Sequence, residues 1–242
     1  MHRAAFEAAG LDGWTYGLLD ISPAHLAGAV DQLRDRSFAG ANVTIPHKVT
    51  VIPLLDELEG EARAAGSVNT IRRQGRRLVG SNTDVAGIRA ALLEAALEAK
   101  GARAVVLGAG GSARAAAVAL KGADLTFVAR RPQRAGSLPG RVLAWSDPYW
   151  GDLVPAADLL LNATPLGRQG EMPLDPAQLP RAGAVIDLVY ASGGTPLVRE
   201  ARARGLRAAD GWTVLVAQGA AAFEAWTGRR APIVAMRDAL PR

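Results

Sequence analysis

The stretch Val105–Ala115, VVLGAGGSARA, carries the clearest signal of fold class in this chain. An apolar run ends in a glycine-rich turn, and an alanine-rich segment of helical character follows it. The spacing Gly108-x-Gly110-x-x-Ala113 is the pattern of a dinucleotide-binding turn with a small third residue. Gly108 permits the tight turn, and Gly110 lets the backbone approach a pyrophosphate at the start of the next helix. Because a second strand follows that helix, we predict a cofactor-binding unit; a glycine-rich turn chosen for tight packing is the alternative.

The residues after the second strand, LTFVA at 125–129, predict which cofactor binds. An NAD site usually has Asp or Glu at this point, where the carboxylate binds the ribose hydroxyls. This chain has Arg130 and Arg131 instead, with Arg134 one helical turn further on. Guanidinium groups bind a 2′-phosphate through paired hydrogen bonds, whereas a carboxylate repels it. We therefore predict NADP; the alternative is that these are surface arginines of an arginine-rich chain.

The segments on both sides of this stretch predict a parallel α/β architecture. Downstream, the short apolar runs DLLLNATP (158–165) and AVIDLVY (184–190) are typical of strands buried on both faces. Upstream, WTYGLLDI (14–21) and GANVTI (40–45) are strand candidates, and residues 67–80 alternate as a hairpin does. Residues 46–66 are predicted to be helical, with a break at Pro53. The boundary between two α/β lobes is expected in the helix over residues 84–100.

The composition excludes several classes of protein. The chain contains no cysteine, so disulfides and thiolate chemistry are ruled out. It has no long uncharged apolar run and no signal peptide at its N-terminus, so we expect a cytoplasmic protein without membrane association. The net charge is +5, but the arginines are scattered along all segments, which is typical of a solvated surface. We expect small anionic ligands and no nucleic-acid partner.

The stretch NVTIPHK at 42–48 holds one of only three lysines and one of only four asparagines. Hydride transfer to a carbonyl leaves an alkoxide that needs a proton donor. Lys48 and Asp84 are the groups here able to move a proton, and arginine could not replace the lysine because its pKa stays above about 12. The commoner role for such a lysine is a solvated one at a helix start. The asparagines lie at strand ends beside Thr or Ser, where they suit either a polyhydroxylated substrate or a turn.

Several segments together resemble the shikimate dehydrogenase family, including its quinate/shikimate relatives. They run in family order over nearly the whole chain: HRAAF, GANVTIPHK, AGSVNTI, SNTDVAG, VLGAGGSARA, NATPLG, VIDLVY and GWTVLVAQGAAAFEAWTG. The resemblance implies reversible, NADP-dependent reduction of 3-dehydroshikimate to shikimate. It also implies a substrate-binding domain over residues 1–86, a Rossmann domain that binds NADP over 87–212, and return helices over 213–242. The active site is expected in the cleft between the domains.

The resemblance also implies roles for individual residues and requires no metal. Lys48 and Asp84 resemble the family's catalytic pair. The implied substrate ligands are Thr44, Asn69, Tyr190 and Gln218. The implied cofactor-binding residues are Gly108, Ala109, Gly110, Gly111, Ser112 and Ala113 at the phosphates, Arg130 and Arg131 at the 2′-phosphate, Asn162, Thr164 and Leu166 at the ribose and nicotinamide, and Gly211 near the nicotinamide.

The chain departs from the family pattern at three places. The family carries a strand and a Ser-x-Ser-Pro segment just before the motif that reads MHRAAF here, so the serines that hold the substrate carboxylate in relatives are expected to be missing. His2-Arg3 replaces a common His-Asn, and the sequence ARR at 129–131 replaces Asn-Arg-Thr. Two alternatives therefore stay open: an oxidoreductase acting on quinate or another cyclic hydroxy acid, and an NADP-binding chain without turnover. Whether the protein forms a homodimer is also left open.

Overall fold

The computed structural model describes residues 1–241, apart from the side chain of Arg134. The chain forms two compact units: unit 1 comprises Met1–Ala86 and Val216–Pro241, and unit 2 comprises Gly87–Leu215. The strands are β1 (Gly40–Asn42), β2 (Glu57–Leu58), β3 (Thr70–Gln74), β4 (Arg77–Ser81), β5 (Arg103–Leu107), β6 (Asp124–Ala129), β7 (Arg141–Ala144), β8 (Leu159–Asn162), β9 (Ala184–Asp187) and β10 (Arg207–Ala209). The helices are α1 (His2–Ala8), α2 (Leu26–Gln32), α3 (Gly60–Ala65), α4 (Asp84–Glu94), α5 (Gly111–Ala119), α6 (Tyr149–Leu153), α7 (Pro196–Ala203), α8 (Gly211–Thr227) and α9 (Ile233–Asp238). None of these helices is long and apolar enough to cross a membrane.

Unit 2 contains a six-stranded parallel sheet in the order β10-β9-β8-β5-β6-β7. Its central strands are buried on both faces, as in the fully buried run Leu159–Leu161 of β8. The predicted strand, glycine turn, helix and strand are β5, the turn at Gly108, α5 and β6. The predicted α/β fold with a Rossmann-type unit is therefore confirmed.

The register of this sheet gathers the functional loops at one edge. Leu107, the last residue of β5, pairs with Asn162 of β8, which in turn pairs with Asp187 of β9. On the other side, Leu107 pairs with Val128, close to the end of β6. Because these strands are parallel, their carboxyl ends meet at the same edge, where ligands bind in open α/β sheets.

Unit 1 is built around a four-stranded sheet in the order β1-β3-β4-β2. The β1–β3 and β3–β4 pairs are antiparallel, and β2 runs parallel to β4. The predicted hairpin is confirmed: β3 and β4 are joined at Gly75, which has a φ of +65°. Helix α8 closes this unit, since the Trp226 indole N–H donates to the carbonyl of Ile71 at 2.9 Å.

Residues 14–21 were expected to form a strand, but they do not. This segment forms no ladder with any strand in the part of the chain that the structure describes. Side chains hold it instead: the Tyr16 hydroxyl donates to Asn42 at 2.9 Å, and the His47 ring contacts the carbonyl of Ile21 at 2.6 Å. Leu18 and Leu19 are 91% and 73% exposed. The segment is therefore an irregular connection and not the predicted strand, with Trp14 and Tyr16 packed against the core of unit 1.

The helix expected over residues 46–66 is also wrong for most of its length. Turns cover residues 45–51, a 3-10 turn spans Ile52–Leu54, and the only α-helical part is α3. The Lys48 carbonyl accepts from the N–H of Val68 at 2.7 Å, which takes it out of any helical hydrogen-bond ladder. The residues around β2 pair with β4. Tertiary hydrogen bonds thus replaced the helix that the local sequence favoured.

Candidate active site

Lys48 and Asp84 form the centre of the candidate site in unit 1. The Lys48 Nζ lies 2.6 Å from the Asp84 Oδ2, and the two side chains are only 13% and 12% exposed. Lys48 lies in the turns that follow β1, whereas Asp84 is the first residue of α4. A carboxylate at a helix start is stabilised by the helix dipole. The structure therefore brings together two proton-carrying groups that lie 36 residues apart in the chain.

Asn69 fixes the second oxygen of the Asp84 carboxylate. The Asn69 Nδ2 donates to the Asp84 Oδ1 at 2.7 Å, while the Asn69 Oδ1 accepts from the Thr83 N–H at 2.7 Å. Both ends of the amide are therefore held, and Asn69 is only 3% exposed. One oxygen of the Asp84 carboxylate therefore accepts from the Lys48 ammonium, and the other accepts from the Asn69 amide.

Gln218 extends this cluster from α8. Its Oε1 lies 3.4 Å from the Asn69 Nδ2 and 3.5 Å from the Thr83 hydroxyl. Gln218 is half-buried. Thr44 lies just after β1 with an exposed side chain. Four of the expected residues, Lys48, Asn69, Asp84 and Gln218, thus form one connected polar cluster.

Sequence reasoning missed Thr70 and Thr83, which complete the cluster. The two hydroxyls lie 3.1 Å apart, and each donates to the Asn69 Oδ1, at 3.1 and 3.2 Å. A further hydrogen bond, donated by the Asn42 Nδ2 to the Thr70 hydroxyl at 3.1 Å, links the cluster to β1. The available signal was the dipeptide Asn-Thr, which occurs twice, at 69–70 and 82–83.

The glycine turn of unit 2 has the geometry expected of a phosphate site. Gly108 has a φ of +111°, and a Cβ there would lie 3.1 Å from the carbonyl of Ala163, so only glycine fits without strain. A Cβ on Gly110 would meet nothing within 4 Å, so its backbone faces open space. Ala113 is fully buried in the first turn of α5, as the small third position requires. The turn also includes the other predicted residues, Ala109, Gly111 and Ser112.

Arg130 and Arg131 follow β6 directly, and both are exposed. The preceding Ala129 is buried, so the chain leaves the sheet at this point. The Arg114 guanidinium, from α5, donates to the carbonyl of Ala135 at 2.8 Å and ties down the segment that carries these arginines. The side chain of Arg134, expected to add to this group, lies outside the described part of the structure. The glycine turn and this basic segment together fit a dinucleotide with a 2′-phosphate.

Asn162 is fully buried, and its amide shapes the turn that follows β8. Its Nδ2 donates to the Leu166 carbonyl at 2.9 Å, and its Oδ1 accepts from the N–H and hydroxyl of Thr164 at 3.1 and 2.6 Å. Asp187 accepts a further hydrogen bond from the same Nδ2 at 2.9 Å. Burial raises the pKa of the Asp187 carboxyl to about 6. Asn162 thus acts on the conformation of the loop rather than through an exposed side chain.

Gly211 and Tyr190 lie beside this edge of the sheet. A Cβ on Gly211 would lie 2.6 Å from the backbone of Val189, so the start of α8 approaches this segment too closely for any side chain. Tyr190 is 44% exposed, and its ring lies 4.6 Å from that of Trp212. The close backbone contact explains the glycine structurally, and its role near a nicotinamide stays a prediction.

Comparison with known proteins identifies the relatives of this chain. The family model of the shikimate dehydrogenase substrate-binding domain matches residues 1–71, and that of the shikimate 5′-dehydrogenase C-terminal domain matches residues 211–240. The shikimate dehydrogenase (NADP(+)) of Moorella thermoacetica is 44% identical; the match covers 98% of this chain and 85% of the relative.

Two solved structures of shikimate dehydrogenases are also similar to this chain. The shikimate 5-dehydrogenase of Thermus thermophilus, in complex with NADP(H) and shikimate, has a TM-score of 0.86 and is 36% identical; the match covers 98% of this chain and 90% of the other. The shikimate dehydrogenase of Aquifex aeolicus has a TM-score of 0.88 and is 30% identical, with 99% of this chain and 91% of the other covered.

Proposed function

The chain belongs to the shikimate dehydrogenase family, and we infer that it catalyses the reversible, NADP-dependent reduction of 3-dehydroshikimate to shikimate. The observation that carries this function is the Lys48–Asp84 pair, 2.6 Å apart and held in a cluster of amide and hydroxyl groups. Unit 1 is the substrate-binding part in this proposal, and unit 2 binds the cofactor.

Lys48 is the proton donor of the proposed mechanism. When bound, NADPH supplies the hydride that reduces the substrate's carbonyl carbon. The Lys48 ammonium donates a hydrogen bond to the carbonyl oxygen and transfers its proton as negative charge develops there. An N–H bond of Lys48 breaks and the O–H bond of shikimate forms; in the oxidation direction the amine takes this proton back. The Asp84 carboxylate orients the ammonium and stabilises its charge.

Amide, hydroxyl and phenol groups are proposed to bind the substrate. Amide side chains both donate and accept, which suits ring hydroxyls, and their N–H groups also suit a carboxylate. Asn69 and Gln218 lie within hydrogen-bonding distance of each other beside Asp84. We assign Thr44 and Tyr190 to the same substrate because both are exposed residues that carry a hydroxyl group.

The cofactor is assigned to the carboxyl edge of the sheet in unit 2. The turn from Gly108 to Ala113 would hold the pyrophosphate, since the backbone at Gly110 faces open space. Arg130 and Arg131 would bind the 2′-phosphate, for which no acidic residue competes in residues 125–136. Thr164, Leu166 and Gly211 would lie along the ribose and nicotinamide.

Two features of the protein remain proposals beyond this activity. We place the enzyme in the cytoplasm, because the reaction needs a supply of the diffusible cofactor NADP(H). A homodimer stays a prediction that sedimentation or gel filtration can decide.

Quinate is the alternative substrate, and the names of the relatives favour shikimate over it. Rates on both acids would separate the two, and a chain that bound NADPH but turned over neither would support the hypothesis of binding without turnover.

Replacing either member of the central pair is expected to abolish most turnover. Lys48→Ala and Asp84→Asn should each lower kcat for NADP-linked shikimate oxidation by about 10²–10⁴-fold. The first removes the group that transfers the proton, and the second removes the carboxylate that orients it and stabilises its charge. Lys121→Ala is the matched control, since Lys121 is an exposed lysine after α5. Wild-type rates in both variants would show that the catalytic assignment is wrong.

A further inference from the structure

A buried polar network lies at the carboxyl edge of the sheet in unit 2. We call it the Asp187 network; its members are Asn162, Asp187 and Thr195, and all three are fully buried. They come from the ends of β8 and β9 and from the residue before α7. A carboxylate in such a place is costly unless several donors surround it.

Three donors converge on the Asp187 carboxylate. Its Oδ1 accepts from the Asn162 Nδ2 at 2.9 Å and from the N–H of Val189 at 3.0 Å. Its Oδ2 accepts from the Thr195 hydroxyl at 2.6 Å. The Thr195 oxygen in turn accepts from the N–H of Val198 at 3.3 Å and so caps α7. Asp187 therefore joins the loops after β8 and β9 and the start of a helix.

The turn after β8 depends on the orientation of the Asn162 amide. Its Nδ2 is shared between the Asp187 carboxylate and the Leu166 carbonyl, at 2.9 Å each. Because the Nδ2 is fixed on one side, the Oδ1 faces Thr164 and accepts its two hydrogen bonds. Loss of the carboxylate would remove the acceptor that ties this amide to the sheet and leave it bonded only to the turn itself, so the positions of Thr164 and Leu166 would be less well fixed.

A second carboxylate holds the far side of the same loop. The Glu171 Oε2 accepts from the N–H groups of Gly167 and Gln169, at 2.9 and 3.0 Å. A hydrogen bond from its own backbone N–H, together with these two, lowers the pKa of the Glu171 carboxyl. The loop is therefore anchored at both ends, and Asp187 provides the buried anchor next to the sheet.

We propose that Asp187 is a positioning residue for the nicotinamide half of the cofactor, acting through Asn162 on the turn at residues 163–167. The proposal rests on the proposed function, because that function assigns Thr164 and Leu166 to this half of NADP. It adds a requirement: the adenosine half, held by the glycine turn and the arginines, should bind independently of Asp187.

The roles of the two halves can be separated by measuring the binding of the whole cofactor and of its adenosine half alone. NADP⁺ and 2′,5′-ADP, which lacks the nicotinamide and its ribose, are titrated by calorimetry against wild-type protein, Asp187→Ala and Asp187→Asn. Asp187→Ala should bind NADP⁺ about tenfold more weakly and 2′,5′-ADP within about twofold of wild type. Asp187→Asn should bind both ligands within about threefold of the wild-type affinity. Its amide oxygen still accepts from Asn162, and the Thr195 hydroxyl can accept from its NH₂.

The matched control is Asp158→Asn, which removes a partly exposed carboxylate before β8, at the opposite edge of the sheet. It should leave the binding of both ligands unchanged. If Asp187→Ala does not fold, Thr195→Val removes one donor from the carboxylate; about threefold weaker NADP⁺ binding with unchanged 2′,5′-ADP binding is then expected.

Unchanged NADP⁺ binding in the variant tested, or equal weakening of both ligands, would overturn the proposal. Steady-state rates add a second readout: the KM for NADP⁺ should rise in Asp187→Ala while the KM for shikimate stays within about twofold. A wild-type protein that bound neither ligand would overturn the proposed function, and this proposal with it.

Discussion

Among single residues, Lys48 is the one that the sequence marked most clearly. It is one of three lysines among 28 basic residues, and its ammonium lies 2.6 Å from Asp84. Proton transfer explains why lysine and not arginine stands at this position, because an arginine would keep its proton. Composition could also point to Asn69, one of four asparagines. Composition could not point to Thr70 or Thr83, because the chain has ten threonines. Only the repeated dipeptide Asn-Thr marks them, and their role depends on contacts that folding makes.

Arg130 and Arg131 are expected to determine cofactor selectivity. Replacing both with alanine should raise the KM for NADPH by about 10–100-fold, since charge-assisted hydrogen bonds to the 2′-phosphate are lost. The KM for NADH should change by less than about twofold, because NADH has no 2′-phosphate. Arg141→Ala, an exposed arginine at the start of β7, is the control. An equal rise for both cofactors would contradict the 2′-phosphate assignment.

Among the helices, strands and turns, local sequence succeeded where the chemistry of the turn is local. The glycine turn between β5 and α5 and the hairpin at Gly75 were both predicted, because a positive φ, as at Gly108 and Gly75, strongly favours glycine. The local sequence did not predict the conformation of residues 14–21 or of most of residues 46–66. In those segments, hydrogen bonds from distant residues set the backbone, such as the bond from Val68 to the Lys48 carbonyl.

The two glycines of the phosphate turn should respond differently to alanine. Gly108→Ala should lower the free energy of unfolding by about 1–3 kcal/mol, because φ is +111° and the Cβ would press on Ala163. Gly110→Ala should leave stability unchanged, since φ is −82° and space is open, yet weaken NADP binding by blocking the pyrophosphate. Denaturant unfolding and cofactor titration measure the two effects. The same response from both variants would contradict the distinct roles.

Across the molecule as a whole, unit 1 is assembled from both ends of the chain. Phe6 of α1 packs on Phe223 of α8, with ring centroids 5.6 Å apart. The same cluster contains Met236 of α9. The chain therefore completes unit 2 before it supplies the last part of the core of unit 1, and we expect α8 and α9 to contribute to the stability of that unit.

Phe223→Ala tests this dependence. Phe223 is fully buried, so its truncation should cost about 3–5 kcal/mol of unfolding free energy. Leu18→Ala is the control; Leu18 is 91% exposed, and its loss should change stability by less than about 0.5 kcal/mol. Urea unfolding followed by tryptophan fluorescence gives both values. A cost near zero for Phe223→Ala would show that the C-terminal helices do not support unit 1.

The α/β class, the cofactor-binding turn and the candidate pair of Lys48 and Asp84 could all be predicted from the amino-acid sequence. The turn depends on backbone conformation within a short segment, whereas Lys48 and Asp84 were marked by side-chain chemistry and by motifs 36 residues apart. Which polar groups meet was determined only by folding: Asn69 contacts Gln218 across 149 residues, and Asn162 contacts Asp187 across 25. Such contacts follow from strand register and helix packing, and no local pattern records the distance between residues so far apart in the chain.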